Sequence, residues 1–146
     1  MTEEEITRNL ALIEYYKEQL NAIDYQTQFM QAALADYYKA KITIEQLHKA
    51  DENSEILIPV GGGTFINGSI KEASKVLVDI GAGLVTEKTI DDALKKIDER
   101  IKNLQGKQEK LLSTAQKLQV ESDELSQKTQ KLVEETQKWF LGMNNV

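Results

Sequence analysis

The sequence predicts an α+β fold: a long antiparallel helical coiled-coil hairpin with two β-hairpins at its centre. Three features carry that expectation. The C-terminal part repeats apolar residues at heptad spacing, the N-terminal part repeats the same spacing, and short β-branched runs separated by glycines lie between them. The chain, 1–146, reads as one domain, with an N-terminal helix over 1–50, hairpins over 55–88 and a C-terminal helix over 89–141.

The first helical pattern runs from about Glu3 to His48, and its stripe passes through Ile6, Ile13, Tyr16, Leu20, Ile23, Thr27, Met30, Leu34, Tyr37 and Ile44. Glu3, Glu4 and Glu5 favour the positive end of this helix. Tyr15, Tyr16, Tyr25, Tyr37, Tyr38 and Phe29 fall at or beside core positions, so packing is their expected role rather than an aromatic binding stripe.

The centre holds four runs, Ile56 to Val60, Thr64 to Ile70, Val76 to Ile80 and Leu84 to Glu87, which pair as two hairpins. Gly61, Gly63, Gly68, Gly81 and Gly83 are the expected turn glycines. Pro59 has no N–H to donate, so its strand belongs at an edge or has Pro59 at a non-bonding position. A centre this small buries little core by itself. The apolar strand residues Ile56, Ile58, Val60, Phe65, Ile66, Val76, Val78 and Ile80 are therefore expected to complete a sheet with other subunits.

The second helical pattern is the clearest. Alternate steps of four and three from Ile90 reach Leu94, Ile97, Ile101, Leu104, Gln108, Leu111, Ala115, Leu118, Ser122, Leu125, Thr129, Leu132, Thr136 and Trp139, a stripe of about seven heptads. One set of seam positions stays apolar throughout, while the other turns small or polar after Ile101. Arg100, Lys107, Glu121, Lys128 and Glu135 flank the seam as solvated charges, and Thr89 with Asp92 forms a capping pair at the start. Gly106 sits opposite the seam, where it lowers helix propensity without harming packing. Each helix would run on the order of 70 Å. Similar lengths on either side of a compact centre point to one antiparallel hairpin with both chain ends at its far tip. Pairing with other chains is the competing arrangement, disfavoured because an intramolecular partner has the higher effective concentration.

The net charge of −6 disfavours a nucleic-acid partner, and the absence of cysteine excludes disulfides and thiolate metal sites. No apolar run approaches the roughly 20 residues of a membrane span, and the acidic start does not read as a signal peptide, so a cytoplasmic location is expected. The glycine clusters invite a nucleotide reading that context refuses. Gly61 to Ile66 has no lysine in the place a phosphate-binding loop needs and runs into a strand, while Gly81-Ala-Gly83 has Thr86 at the third glycine position and no parallel strand to follow. His48 is the only histidine, near the helix end, with Asp51 and Glu52 beyond it and no cysteine to complete a metal set. No cofactor, metal or catalytic residue is expected. What remains is the far tip, where Leu132, Val133, Trp139, Phe140 and Leu141 are expected opposite Ile6, Leu10, Leu12 and Ile13 as an apolar binding patch, or as a cap that only closes the coil.

Ile58-Pro-Val-Gly-Gly-Gly-Thr-Phe-Ile-Asn-Gly68, Val76-Leu-Val-Asp-Ile-Gly-Ala-Gly83 and Thr86-Glu-Lys88, set between two long helices, resemble the α class of prefoldin subunits over nearly the whole chain. Two hairpins rather than one distinguish the α class from the β class; Leu84 departs from the pattern, standing where an aromatic is common. The resemblance implies a hexamer of two α and four β subunits whose hairpins join into a β-barrel platform. It also implies an ATP-independent holdase whose coiled-coil tips bind unfolded clients and deliver them to a group II chaperonin. A structural coiled-coil scaffold that binds one specific partner through its tips is the alternative.

Overall fold

The computed structural model describes residues 2–50 and 53–144, the last for its backbone only. Helix α1 spans Thr2–Lys49, strands β1 to β4 span Glu55–Gly61, Thr64–Ser69, Lys75–Gly81 and Leu84–Thr89, and helix α2 spans Ile90–Asn144. The order is helix, two hairpins, helix, as the hydropathy periods require. β4 runs on to Thr89, past the Glu87 expected from sequence, and α2 follows with no residue between.

Each hairpin is a separate two-stranded antiparallel sheet. The first pairs Ile56 with Gly68, Ile58 with Ile66 and Gly61 with Thr64; the second pairs Val76 with Lys88, Val78 with Thr86 and Gly81 with Leu84. A shift of 20 residues superimposes one register on the other, including the irregularity before each turn, at Pro59/Gly61 and at Asp79/Gly81. Both turns need left-handed backbone: φ is 58° and 72° at Gly62 and Gly63, and 52° and 74° at Ala82 and Gly83. Positive φ at both central residues makes these tight two-residue turns, which match the strands' own twist. Gly61 to Gly63 therefore turn the chain.

Gly68 corrects the sequence reading. It lies inside β2 opposite Ile56, not in a turn, and a Cβ there would sit 2.7 Å from Ile58 Cδ1. The missing side chain makes room for Ile56 and Ile58, which share its face of the hairpin.

The chain divides into two compact units. In the first, Ala32–Gln105, the buried core is Leu34, Ile97 and Ile101, with Tyr37, Ala40, Ile44 and Leu104 packed against it. Lys41 Nζ pairs with Asp98 Oδ1 at 2.9 Å, and Gln105 Nε2 donates to Tyr38 Oη at 2.8 Å. Falling numbers on α2 meet rising numbers on α1, so the helices run antiparallel. Thr89 Oγ1 accepts a hydrogen bond from the Asp92 N–H at 3.2 Å, capping α2.

In the second unit, residues 2–31 with 106–144, the same heptad seam buries polar groups: Asn9, Ser122 and Thr129. Thr129 and Thr136 donate their hydroxyls to the carbonyls of Leu125 and Leu132, four residues back, at 2.7 and 2.8 Å. The seam threonines thus satisfy themselves within α2. Asn9 Nδ2 finds no hydrogen-bond partner among the described residues. Lys128 Nζ and Glu5 Oε1 lie 3.6 Å apart across this unit.

Candidate functional site

Apolar side chains are left uncovered on the hairpins and at the far end of α2, among other places along the helices. On the hairpins, Ile58, Val60, Phe65, Ile66 and Ile80 are exposed and Ile56, Val76 and Val78 half-buried. Four residues missed from sequence, Leu57, Leu77, Leu84 and Val85, are more exposed than several of those expected, with Leu77 74% accessible. Strict alternation was their signal: Leu57 and Leu77 lie on the opposite face from Ile56 and Val76, so each hairpin is apolar on both sides.

The second hairpin is tied down from α2. Arg100 Nη2 donates to the Asp79 carbonyl at 2.9 Å, and its guanidinium lies 6.0 Å from the centre of the Tyr37 ring. Arg100 is thus a bridge between hairpin and helices rather than a free solvated charge. At the turn itself, Asp79 Oδ1 accepts from the Gly81 N–H at 2.8 Å.

At the end of α2, Trp139 and Phe140 stand edge to face, ring centres 5.7 Å apart, with Trp139 62% accessible. Leu141 and Met143 beyond them are exposed as well. The rings border an open hollow of about 550 Å³ lined also by Thr2, Glu3, Glu4, Leu132, Glu135 and Thr136. This differs from the sequence expectation. Leu132 joins Trp139 and Phe140, but the first acidic turn of α1 lies there instead of Ile6, Leu10, Leu12 and Ile13. The ion pair between Glu5 and Lys128 accompanies this stagger, in which Ile6 and Ile13 are half-buried in the seam and Leu10 and Leu12 are exposed elsewhere along α1. Val133 is half-buried.

The aromatic residues divide. Tyr16 and Tyr37 pack, whereas Tyr15, Tyr25 and Phe29 are exposed, Phe29 to 75%. Partial burial and the neighbouring Glu121 carboxylate hold the Tyr16 phenol above its ordinary value. Phe29 edges an open groove of about 470 Å³ with Gln26, Met30, Lys107, Lys110, Leu111 and Thr114. Tyr25 and Phe29 each follow a seam position, Ile23 or Thr27, by two residues; that offset takes them off the seam and was the available signal.

No group of three or more histidines, cysteines and carboxylates could hold a metal among the described residues. His48 is exposed, and Asp51 and Glu52 lie outside the described residues. No described helix is long and apolar enough to cross a membrane.

The family model "Prefoldin subunit" matches residues 16–135. The chain belongs to the prefoldin family. A prefoldin subunit alpha from Methanosarcina barkeri is 32% identical over 100 residues, covering 66% of this chain and 69% of that one. A prefoldin subunit alpha from Thermococcus onnurineus is 35% identical over 92 residues, 53% of this chain and 63% of the relative. Among solved structures, a filamentous prefoldin from Methanocaldococcus jannaschii superposes with a TM-score of 0.70 at 22% identity, over 80% of this chain and 96% of the other. The two hairpins and the alpha relatives agree on an α-class prefoldin subunit, a chaperone-type protein in general role.

Proposed function

We propose that this chain is the α subunit of an α2β4 prefoldin hexamer that holds non-native proteins without ATP and passes them to a group II chaperonin. The observation that carries the reading is the Trp139 and Phe140 pair, large rings left in solvent towards the end of α2. A lone exposed side chain is ordinary; a cluster with Leu132, Leu141 and Met143 around an open hollow supports a binding surface for apolar segments. Shallow contacts of this kind are individually weak. Several arms around one client supply avidity without a deep pocket, and competition among weak contacts allows release without nucleotide.

The hairpins supply the assembly surface. Each offers apolar residues on both faces and two unpaired strand edges, a pattern that supports pairing with β subunits in a barrel. The proposed partners are β subunits, unfolded clients and the chaperonin, with no nucleic acid, no membrane, no catalytic step and a cytoplasmic location.

The test separates the two surfaces. Trimming the chain after Val133, together with its first dozen residues, is expected to abolish suppression of aggregation of chemically denatured proteins in the absence of ATP, while light scattering still reports the hexamer. Val78→Lys is expected to do the reverse. Loss of the hexamer on trimming would overturn this division. Unchanged aggregation of unrelated clients with the intact complex would favour a scaffold with one specific partner.

A further inference from the structure

We propose that the two hollows of the second unit form a charge-sorting pair. The hollow at Trp139 takes apolar client segments flanked by basic residues, and the groove at Phe29 takes apolar segments flanked by acidic ones. The inference rests on the client-holding reading and names the class of segment each site accepts.

Both sites offer exposed rings over an apolar floor, and they differ in their rims. Glu3, Glu4 and Glu135 line the hollow with Leu132, Trp139 and Phe140, and no described lysine or arginine lines it. Lys107 and Lys110 border the groove over Phe29, Met30 and Leu111, and no described carboxylate lines it. The surroundings keep the same signs. Residues 2–8 with 131–141 carry five carboxylates against three cations, whereas residues 22–31 with 106–118 carry three lysines against two carboxylates, in a chain whose net charge is −6.

The rim charges are available to a ligand. Among the described residues the ion pairs are Lys41 with Asp98, Lys75 with Glu87 and Lys128 with Glu5, so neither lysine of the groove nor any carboxylate of the hollow is engaged in one. A bound segment would bury part of a ring that now faces water and bring an opposite charge to an unpaired rim. Like charge at either rim would be repelled. Sorting by sign follows from the same arrangement that gives affinity, and because the rims are exposed, salt weakens the sorting before it weakens the apolar contact.

The test uses two fluorescent peptides that share one stripe of leucine and phenylalanine, one flanked by glutamates and the other by lysines, titrated into the purified complex by anisotropy at low salt. With Lys107→Glu and Lys110→Glu together, the glutamate peptide should bind about tenfold more weakly and the lysine peptide should not. With Trp139→Ser and Phe140→Ser together, the lysine peptide should lose about the same factor and the glutamate peptide should not. The milder pair Lys107→Gln and Lys110→Gln, at exposed positions, should weaken the glutamate peptide without reversing its preference. If both peptides bind but neither variant shifts their ratio, sorting is overturned while client holding stands. If the unaltered complex binds neither peptide and leaves aggregation unchanged, client holding fails and the sorting with it.

Discussion

Residues 32–105 bury Leu34, Ile97 and Ile101, whereas residues 2–31 with 106–144 bury Asn9, Ser122 and Thr129, although one uninterrupted heptad pattern serves both. The first unit gains apolar burial at its seam. In the second, the described apolar seam residues are at most half-buried, and one buried amide has no hydrogen-bond partner among the described residues. A coil buried more deeply beside its hairpins than towards its chain ends fits the proposed division between a region that assembles and a region that adapts. Local opening free energies follow such differences in buried apolar contact.

The largest effect should come from the apolar seam. Ile101→Ala, at a position only 6% exposed, is expected to cost about 3 kcal/mol in thermal unfolding, against less than about 1 kcal/mol for Thr129→Ala, whose hydroxyl bonds its own helix. Equal losses would erase the contrast between the units. Next, Asn9→Leu should stabilise the second unit by about 1–2 kcal/mol, because it removes an unsatisfied buried amide, and should slow amide exchange there selectively. A destabilised variant would mean that Asn9 is partnered in solution.

A smaller effect separates the twin hairpins. Ala82 holds φ at 52°, where the first hairpin has glycine, so Ala82→Gly should gain at most about 1 kcal/mol and Gly62→Ala should lose a similar amount, read from thermal midpoints. The smallest belongs to the pair of Lys41 and Asp98. The hydrogen bond to Asp98, with its charge, holds Lys41 above its ordinary value of 10.5. Stabilisation from a raised group is complete below the ordinary value and disappears as pH rises through the raised one. Melting of the natural protein should therefore fall faster above about pH 10.5 than melting of Lys41→Gln, and parallel curves would remove any role for the pair.

Much of this architecture was legible because period and turn chemistry are local properties. Every expected seam residue from Ile90 to Thr136 avoids full exposure, and the glycine clusters lie where strands reverse. What the sequence hid was non-local. Heptads fix which face of a helix meets its partner but not the axial stagger, so Glu3 and Glu4, rather than Leu10 and Ile13, came to line the hollow at Trp139. Gly68 looked like a turn residue because a glycine that makes room for a cross-strand isoleucine leaves the same mark in one dimension. Arg100 looked like any flank charge, since its acceptor is a backbone carbonyl 21 residues away.

Thr89 ends β4 and caps α2, and Ile90 begins the helix with nothing between. Strand and helix therefore share one clock. A single residue inserted after Thr89 would rotate the whole seam of α2 by about 100° relative to the hairpin, turning Ile97 and Ile101 from the core towards water. A joint without slack transmits orientation: whatever holds the second hairpin also sets the azimuth at which α2 leaves it.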